Sequence, residues 1–476
     1  MNHAFSLGHV DDIDAPLLAY MRARRRRERL AVVFRDGVPR ATRAQTTWVG
    51  DLQQGDGGKG AMTDRLARTH DVIVRVQGGD NAGHTTVFLD ADGREVTVKN
   101  HIIPSGMRHP GTIGILGNGV LLNAERFGEE LTAFGPVMPD IADRVFVSGR
   151  AHLILPLHRF VDAREEGLKE RRGDAIGTTR RGVGPANISK VNRVGIRVTD
   201  LRDWSAVENR VRANVDFFDL DAEHAEANLS WLDQHKKLLL DREVDSVRLI
   251  DDLVGSGLSV LFEGAQGPVI DLEHGIYPYV TTAPTAAYSV ASGAGFDLAR
   301  IDHRVGVLKV YQTMVGNGAF VSEDHAELGT RLRAAGAEFG TTTGRARRCG
   351  WLDLVHARWA AELNGFTSVV LTKLDCLDEF EQVGVCVAYE RDGELITEFA
   401  PEHAELSRSR PVYRYFDGWL SSTRAATSFA DLPVQAREFV EFIAAYLGAE
   451  VGAVTTGPRD VDMLVRPGTR FSELVR

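Results

Sequence analysis

Cysteine is scarce: there are three in 476 residues, Cys349, Cys376 and Cys386. They form no CxxC pair and have no metal-ligand spacing. That excludes a disulfide scaffold or zinc module and leaves reduced structural thiols, with Cys349, set among arginines, open to a second reading as a reactive thiol. No run approaches the roughly eighteen apolar residues of a membrane span, and the N-terminus lacks the apolar core of a secretory signal. A cytoplasmic protein with no membrane partner is expected. A basic excess is missing as well: 56 Lys and Arg stand against 66 Asp and Glu, a net charge of −10. This argues against a nucleic-acid partner and makes any phosphate site a local one. Internal repeats and low-complexity tracts are also lacking.

The length suits one large decorated α/β core. Residues 1–43 differ from the rest, with an acidic opening, an arginine run from Arg22 to Arg29 that reads best as a solvated helix face, and a short strand expected at Leu30–Phe34. We read 1–43 as an appended basic N-terminal segment and 44–476 as the catalytic domain. From Trp48 onward, apolar runs such as those at 71–76, 112–116, 259–263, 305–310, 368–372 and 451–456 each end in a polar or glycine-rich loop. This is the pattern of buried strands in a mostly parallel sheet, whose ligands bind beyond the carboxyl ends of the strands. Segments 201–213 and 225–240 read as surface helices and 384–397 as a small antiparallel hairpin.

The loops carry the chemistry. Gly50-Asp-Leu-Gln-Gln-Gly-Asp-Gly-Gly-Lys-Gly60 follows a strand, and its glycines allow backbone amides to approach phosphate, although the spacing is not that of a P-loop. Asp56 would repel phosphate unless it binds Mg²⁺ or moves a proton; a turn-forming aspartate is the alternative. Gln77-Gly-Gly-Asp-Asn-Ala-Gly-His84 places a histidine where it can serve a phosphate or oxyanion, or be merely structural. Segments 175–185 and 340–351 set threonines beside arginines, which suits carboxylate or phosphate. Leu371-Thr-Lys-Leu-Asp375 puts a carboxylate at a strand end, where it can accept the N–H groups of guanine.

In this order, and together with Glu263-Gly-Ala-Gln-Gly267 and Asp271-Leu-Glu-His-Gly-Ile-Tyr-Pro-Tyr-Val-Thr281, these loops closely resemble the adenylosuccinate synthetase family from about Trp48 to Leu464. The resemblance implies an α/β fold related to P-loop NTPases, with a large mostly parallel central sheet flanked by helices and small antiparallel additions. It also implies a homodimer and a two-step ligation. In that reaction GTP phosphorylates the 6-oxygen of IMP, and the amine of L-aspartate then displaces phosphate to give adenylosuccinate.

Carried over by motif, Asp56 and His84 are catalytic, and Asp56 with the carbonyl of Gly83 holds Mg²⁺. Lys59, Asn81, Thr179, Gln266, Thr281 and Arg345, with Arg193 from the partner subunit, are expected to hold the purine nucleotide. Thr341, Thr342, Thr343, Arg345 and Arg347 are expected to hold aspartate. Gly55, Gly58, Lys59, Gly60, Arg347, Lys373, Leu374, Asp375, Thr455, Thr456 and Gly457 are expected to hold GTP.

The match departs from the family pattern in the loops. Where the family reads Gln-Trp-Gly-Asp-Glu-Gly-Lys-Gly-Lys, this chain has Gln54, Gly57 and Ala61 at the Trp, Glu and last Lys positions, and Asp51-Leu-Gln replaces Gly-Thr-Gln. Asp80 stands at a usual histidine, Arg180 at a glycine, and Met314 and Ala346 at arginines. These substitutions leave open a paralogue with the same chemistry on another 6-oxopurine nucleotide (GMP, dGMP or a modified one) or another amino-acid donor. A non-catalytic GTP-binding protein is the third reading, against which both Asp56 and His84 speak.

Overall fold

The computed structural model describes residues 15–34, 44–90, 92–340 and 344–476. Its centre is a sheet whose main path runs 463–465, 451–455, 368–372, 303–309, 46–51, 260–263, 72–78, 113–122, 145–148 and 243–244. Every pairing along this path is parallel except the antiparallel edge strand Met463–Val465. Thr46–Asp51, Val72–Gly78, Val260–Glu263 and Ser368–Thr372 are buried throughout, as strands covered on both faces are, and polar residues such as Asp51, Arg75 and Glu263 are buried with them. The fold expectation is met.

Helices cover both faces. Trp204–Phe217 buries Val207, Val211 and Val215 at four-residue spacing, and Glu223–Leu240 packs beside it, so these two segments are surface helices with one apolar stripe. A second sheet joins Tyr311–Met314, Arg348–Asp353, Gln382–Arg391, Glu394–Ile396 and Arg410–Asp417, and it contains the expected hairpin.

One expectation is corrected. Leu30–Phe34 is not a strand; helix Ala15–Val33 runs through most of it. The preceding Arg, Ala and Leu residues are strong helix formers, and a five-residue apolar run cannot separate the two periods. Leu30 and Val33 are buried in the same core cluster as Leu249 and Leu253. Arg26 donates to the carbonyl of Asp252 at 2.9 Å and to Ser256 Oγ at 2.8 Å, and Arg29 pairs with Asp252 at 2.5 Å. The arginine run is therefore solvated on one side and anchored on the other.

The chain reverses its direction of winding around Thr46–Asp51. Val260–Glu263 lies on one side of it and His303–Lys309, next in the sheet sequence, on the other. Crevices form at such switch points, beyond the carboxyl ends of the strands, and the informative loops are all found there.

Candidate active site

Loops leaving Asp51, Gly78, Glu263, Thr372 and Thr455 surround one cavity of about 760 Å³. Asp56, Lys59, Asn81, Gly83, His84, Thr179, Gln266, Thr281, Arg347, Lys373, Asp375, Thr455 and Gly457 line it, together with Gly55, Gly58 and Gly60. Motifs separated by several hundred residues therefore meet in one place.

The first loop is built on tight backbone geometry. Gly55 has φ +120° and Gly58 φ +104°, a region that L side chains rarely adopt, and Gly58 caps helix Lys59–Leu66. The first turn of that helix, Lys59 to Met62, lines the cavity, the placement an anion site at a helix N-terminus requires. Asp56 itself has φ +59°, which aspartate tolerates, and its carboxylate is 37% exposed and 3.1 Å from Arg347 Nε. Lys59 Nζ lies 2.8 Å from the buried carboxylate of Asp51.

A Cβ at Gly60 would lie 2.5 Å from His84 Cβ, so the glycine lets the first loop close on the histidine. His84 Nδ1 is held at 2.7 Å by Glu263 Oε1, leaving Nε2 as the ring nitrogen free for a ligand. Burial alone would raise the Glu263 carboxyl, but His84 and then Arg75 more than offset it, and the net direction is down. Arg75, fully buried, donates to the carbonyls of Gly79 at 2.9 Å and His101 and so ties down the loop bearing His84.

At the far end, Lys373 adopts φ +62°, takes Thr455 Oγ1 on its amide at 3.0 Å, and donates through Nζ to Glu338 at 2.6 Å. Asp375 accepts from Arg424 Nη2 at 2.8 Å. Leu374 is in the apolar core and Thr456 is buried with its amide on Asp462; neither lines the cavity.

Glu338 is a hub that the sequence reading passed over. It is fully buried and touches Lys309 at 3.1 Å, Lys373, the Arg347 guanidinium and the Tyr311 hydroxyl. Burial opposes ionisation, yet Lys309, Lys373 and Arg347 hold its carboxyl far below the usual range. Burial also lowers Lys309 to about 8. A carboxylate just before a loop with three arginines was a charge-balance signal that could have revealed it.

Other loops are also held by carboxylates. Asp162 accepts Thr178 Oγ1 at 3.1 Å and the Gly182 amide at 2.8 Å, and Asp271 gathers the amides of Glu273 and Thr285. Arg193 and Arg345 are exposed and do not line the cavity; Thr341, Thr342 and Thr343 lie outside the described residues. Among the described residues no group of three or more His, Cys, Asp or Glu could hold a metal ion. All three cysteines are buried, and burial pushes Cys349 up to about 11, opposite to a reactive thiolate.

The sequence profile described as adenylosuccinate synthetase matches residues 49–464. The chain belongs to the adenylosuccinate synthetase family. It is 41% identical over 422 residues to the adenylosuccinate synthetase of Clostridium novyi, covering 86% of this chain and 96% of that one. With the enzyme of Moorella thermoacetica it shares 42% over 416 residues, 86% and 95% of the two chains. The fully ligated adenylosuccinate synthetase of Plasmodium falciparum superposes with a TM-score of 0.83 at 32% identity, over 88% of this chain and 99% of that one. A succinoaminodeoxyadenylate synthetase from cyanophage S-2L shares the fold alone, with a TM-score of 0.57 and 20% identity over 90% and 98% of the chains.

Within the family pattern the departures fall into two groups. Gln54, Gly57, Ala61 and Met314 line the cavity. Asp80 does not: it is buried, accepts from Asn123 Nδ2 at 2.8 Å, and burial raises its carboxyl. Arg180 is exposed, paired with Glu170.

Proposed function

We propose that this chain joins L-aspartate to carbon 6 of IMP, with GTP phosphorylating the 6-oxygen first, giving adenylosuccinate, GDP and phosphate. The observation that carries the reading is the convergence of Asp56, His84 and Asp375 on one cavity, in a chain of the adenylosuccinate synthetase family. In this reading Asp56 takes the proton from N1 of the purine, which makes the 6-oxygen nucleophilic. His84, oriented by Glu263, donates from Nε2 to the phosphoryl group in flight, while Lys59 and the helix amides meet its charge. Aspartate's amine then attacks carbon 6 and phosphate leaves.

Asn81, Thr179, Gln266 and Thr281 take the purine nucleotide, with Arg345. Gln266 is suited to this, since its Oε1 is buried and has no partner. Lys373, Asp375, Thr455 and Gly457, which line the cavity, take the guanine end; Leu374, in the core, and Thr456, bonded to Asp462, hold these neighbours in place rather than the base. For guanine to reach Asp375, Arg424 must swing away. Arg347 releases Asp56 when the carboxylates of the amino acid arrive, beside Thr341, Thr342 and Thr343. Arg193 follows helix Val183–Val191, is exposed and does not line this chain's own cavity, which supports a homodimer in which it serves the partner's site.

The residues suit Mg²⁺. Asp56 offers one partly exposed carboxylate and Gly83, on the same cavity, a backbone carbonyl; both are hard oxygen donors, and an ion with few protein ligands fits one that arrives on nucleotide phosphates. Bound there, it would neutralise charge on the phosphoryl oxygens. Residues 1–43 lie before the family match and are read as an appendage to a catalytic domain of 44–476.

The test is GDP release with GTP, Mg²⁺ and aspartate, comparing IMP, GMP and dGMP, with mass detection of product. Adenylosuccinate from IMP supports the reading. Product from a guanylate alone, or none from any of the three, defeats it.

A further inference from the structure

The phosphate loop holds a carboxylate that neither the family pattern nor the mechanism above uses. Asp51 is the last residue of the central strand, and its side chain is fully buried. Its Oδ1 accepts the Gln53 amide at 2.8 Å; its Oδ2 accepts the Gly57 amide at 3.1 Å and Lys59 Nζ at 2.8 Å. One carboxylate therefore fastens the start of the loop, its middle and its only lysine. Lys59 is itself 3% exposed while lining the cavity, and a buried ammonium needs a counter-charge to remain there.

Position 57 explains why the carboxylate comes from the strand. A Cβ at Gly57 would lie 2.7 Å from Asp51 Oδ2 and 3.3 Å from its Cγ. A side chain at 57 would push the Asp51 carboxylate off its bonds to the Gly57 amide and Lys59. The two departures from the family loop, aspartate for glycine at 51 and glycine for glutamate at 57, are then one change.

We infer that Asp51 is the positioning residue for Lys59, supplying from the strand the carboxylate that Gly57 leaves out, so that the ammonium is aimed at the phosphates of GTP. This rests on the functional reading above, but its test also has a readout that does not need turnover: titration with a fluorescent GTP analogue.

The experiment is a reciprocal swap: Asp51→Gly, Gly57→Glu and the double variant, each measured for analogue affinity and for kcat and KM with GTP and IMP. Each single variant is expected to lose about 10- to 100-fold in GTP affinity, as for a lost charged hydrogen bond, with little change in KM for IMP. The double variant is expected to recover to within about threefold of wild type. A double variant no better than the product of the singles overturns the inference, as does wild-type affinity in Asp51→Gly. Asp51→Asn, nearly isosteric, covers the case in which glycine prevents folding. It is expected to fold, with a Tm lowered by no more than about 6 °C, yet lose GTP affinity about tenfold; unchanged affinity overturns the inference. If wild type binds GTP but makes no adenylosuccinate, the functional reading fails while the swap is still decided by affinity.

Discussion

Replacing Glu338 with glutamine removes the negative charge from a buried cluster of Lys309, Lys373 and Arg347 while keeping its shape. Removing one member of a buried ion pair costs about 3–5 kcal/mol, and here three cations lose the same partner, so the upper half of that range is expected. For a domain of roughly 430 residues the unfolding entropy is about 0.9 kcal/mol/K, so Tm should fall by about 4–6 °C. Because the folded-state carboxyl is held below its ordinary value of 4.5, its contribution is complete above that pH. It is lost as pH falls through the folded value, so the Tm gap between wild type and E338Q is widest near neutrality and shrinks in acid. Lys309, already lowered to about 8, loses the group that opposes its burial and drops further. Differential scanning fluorimetry across pH, with KM for GTP as a second readout of the loosened Lys373, checks both. A Tm within about 1 °C of wild type at neutral pH would refute the reasoning.

Asp56→Ala is expected to lower kcat by at least about a thousandfold, with substrate affinities within severalfold of wild type; normal turnover would remove it from the chemistry. Asp375→Asn should weaken GTP and favour XTP, while Arg424→Ala, by freeing the carboxylate, should lower KM for GTP; competition kinetics with the two nucleotides reads both. Gly60→Ala forces a methyl against His84, and kcat should fall about 10- to 100-fold with Tm little changed, as seen by paired kinetics and melting. The three buried cysteines, with Cys349 and Cys376 both pushed up to about 11 by burial, should resist a thiol-specific chromogenic reagent at about pH 8 until denaturant is added.

The strands of the central sheet were legible because burial on both faces keeps them rich in apolar residues, and their loops because glycine, threonine and arginine cluster where the backbone must bend around anions. Asp56, His84 and Asp375 were legible for the same reason: each is a charged or titratable residue at a strand end. What escaped was charge pairing across distance. For Glu338 the nearby arginines were the single local signal; two of its three cations, Lys309 and Lys373, come from separate segments. Asp51 read as a mere departure from the family loop, because its meaning lies in the space above Gly57, which only the folded backbone defines. The helix at Leu30–Phe34 was missed because a five-residue apolar run fits either period, and the neighbour that selects the helix, Ser246–Gly255, lies far along the chain.

The central position of Thr46–Asp51 has a consequence for synthesis. This strand leaves the ribosome early, yet both its sheet neighbours come much later; Thr46 bonds to Asp302 across 256 residues of chain. Until those neighbours emerge, a strand that is wholly buried in the finished sheet has two open edges, the kind of nascent segment that chaperones shield. The phosphate loop that follows it has no wall to rest on and no GTP to hold during that time. Stalled translation complexes should therefore protect Trp48 from proteolysis only once residue 309 has cleared the exit tunnel.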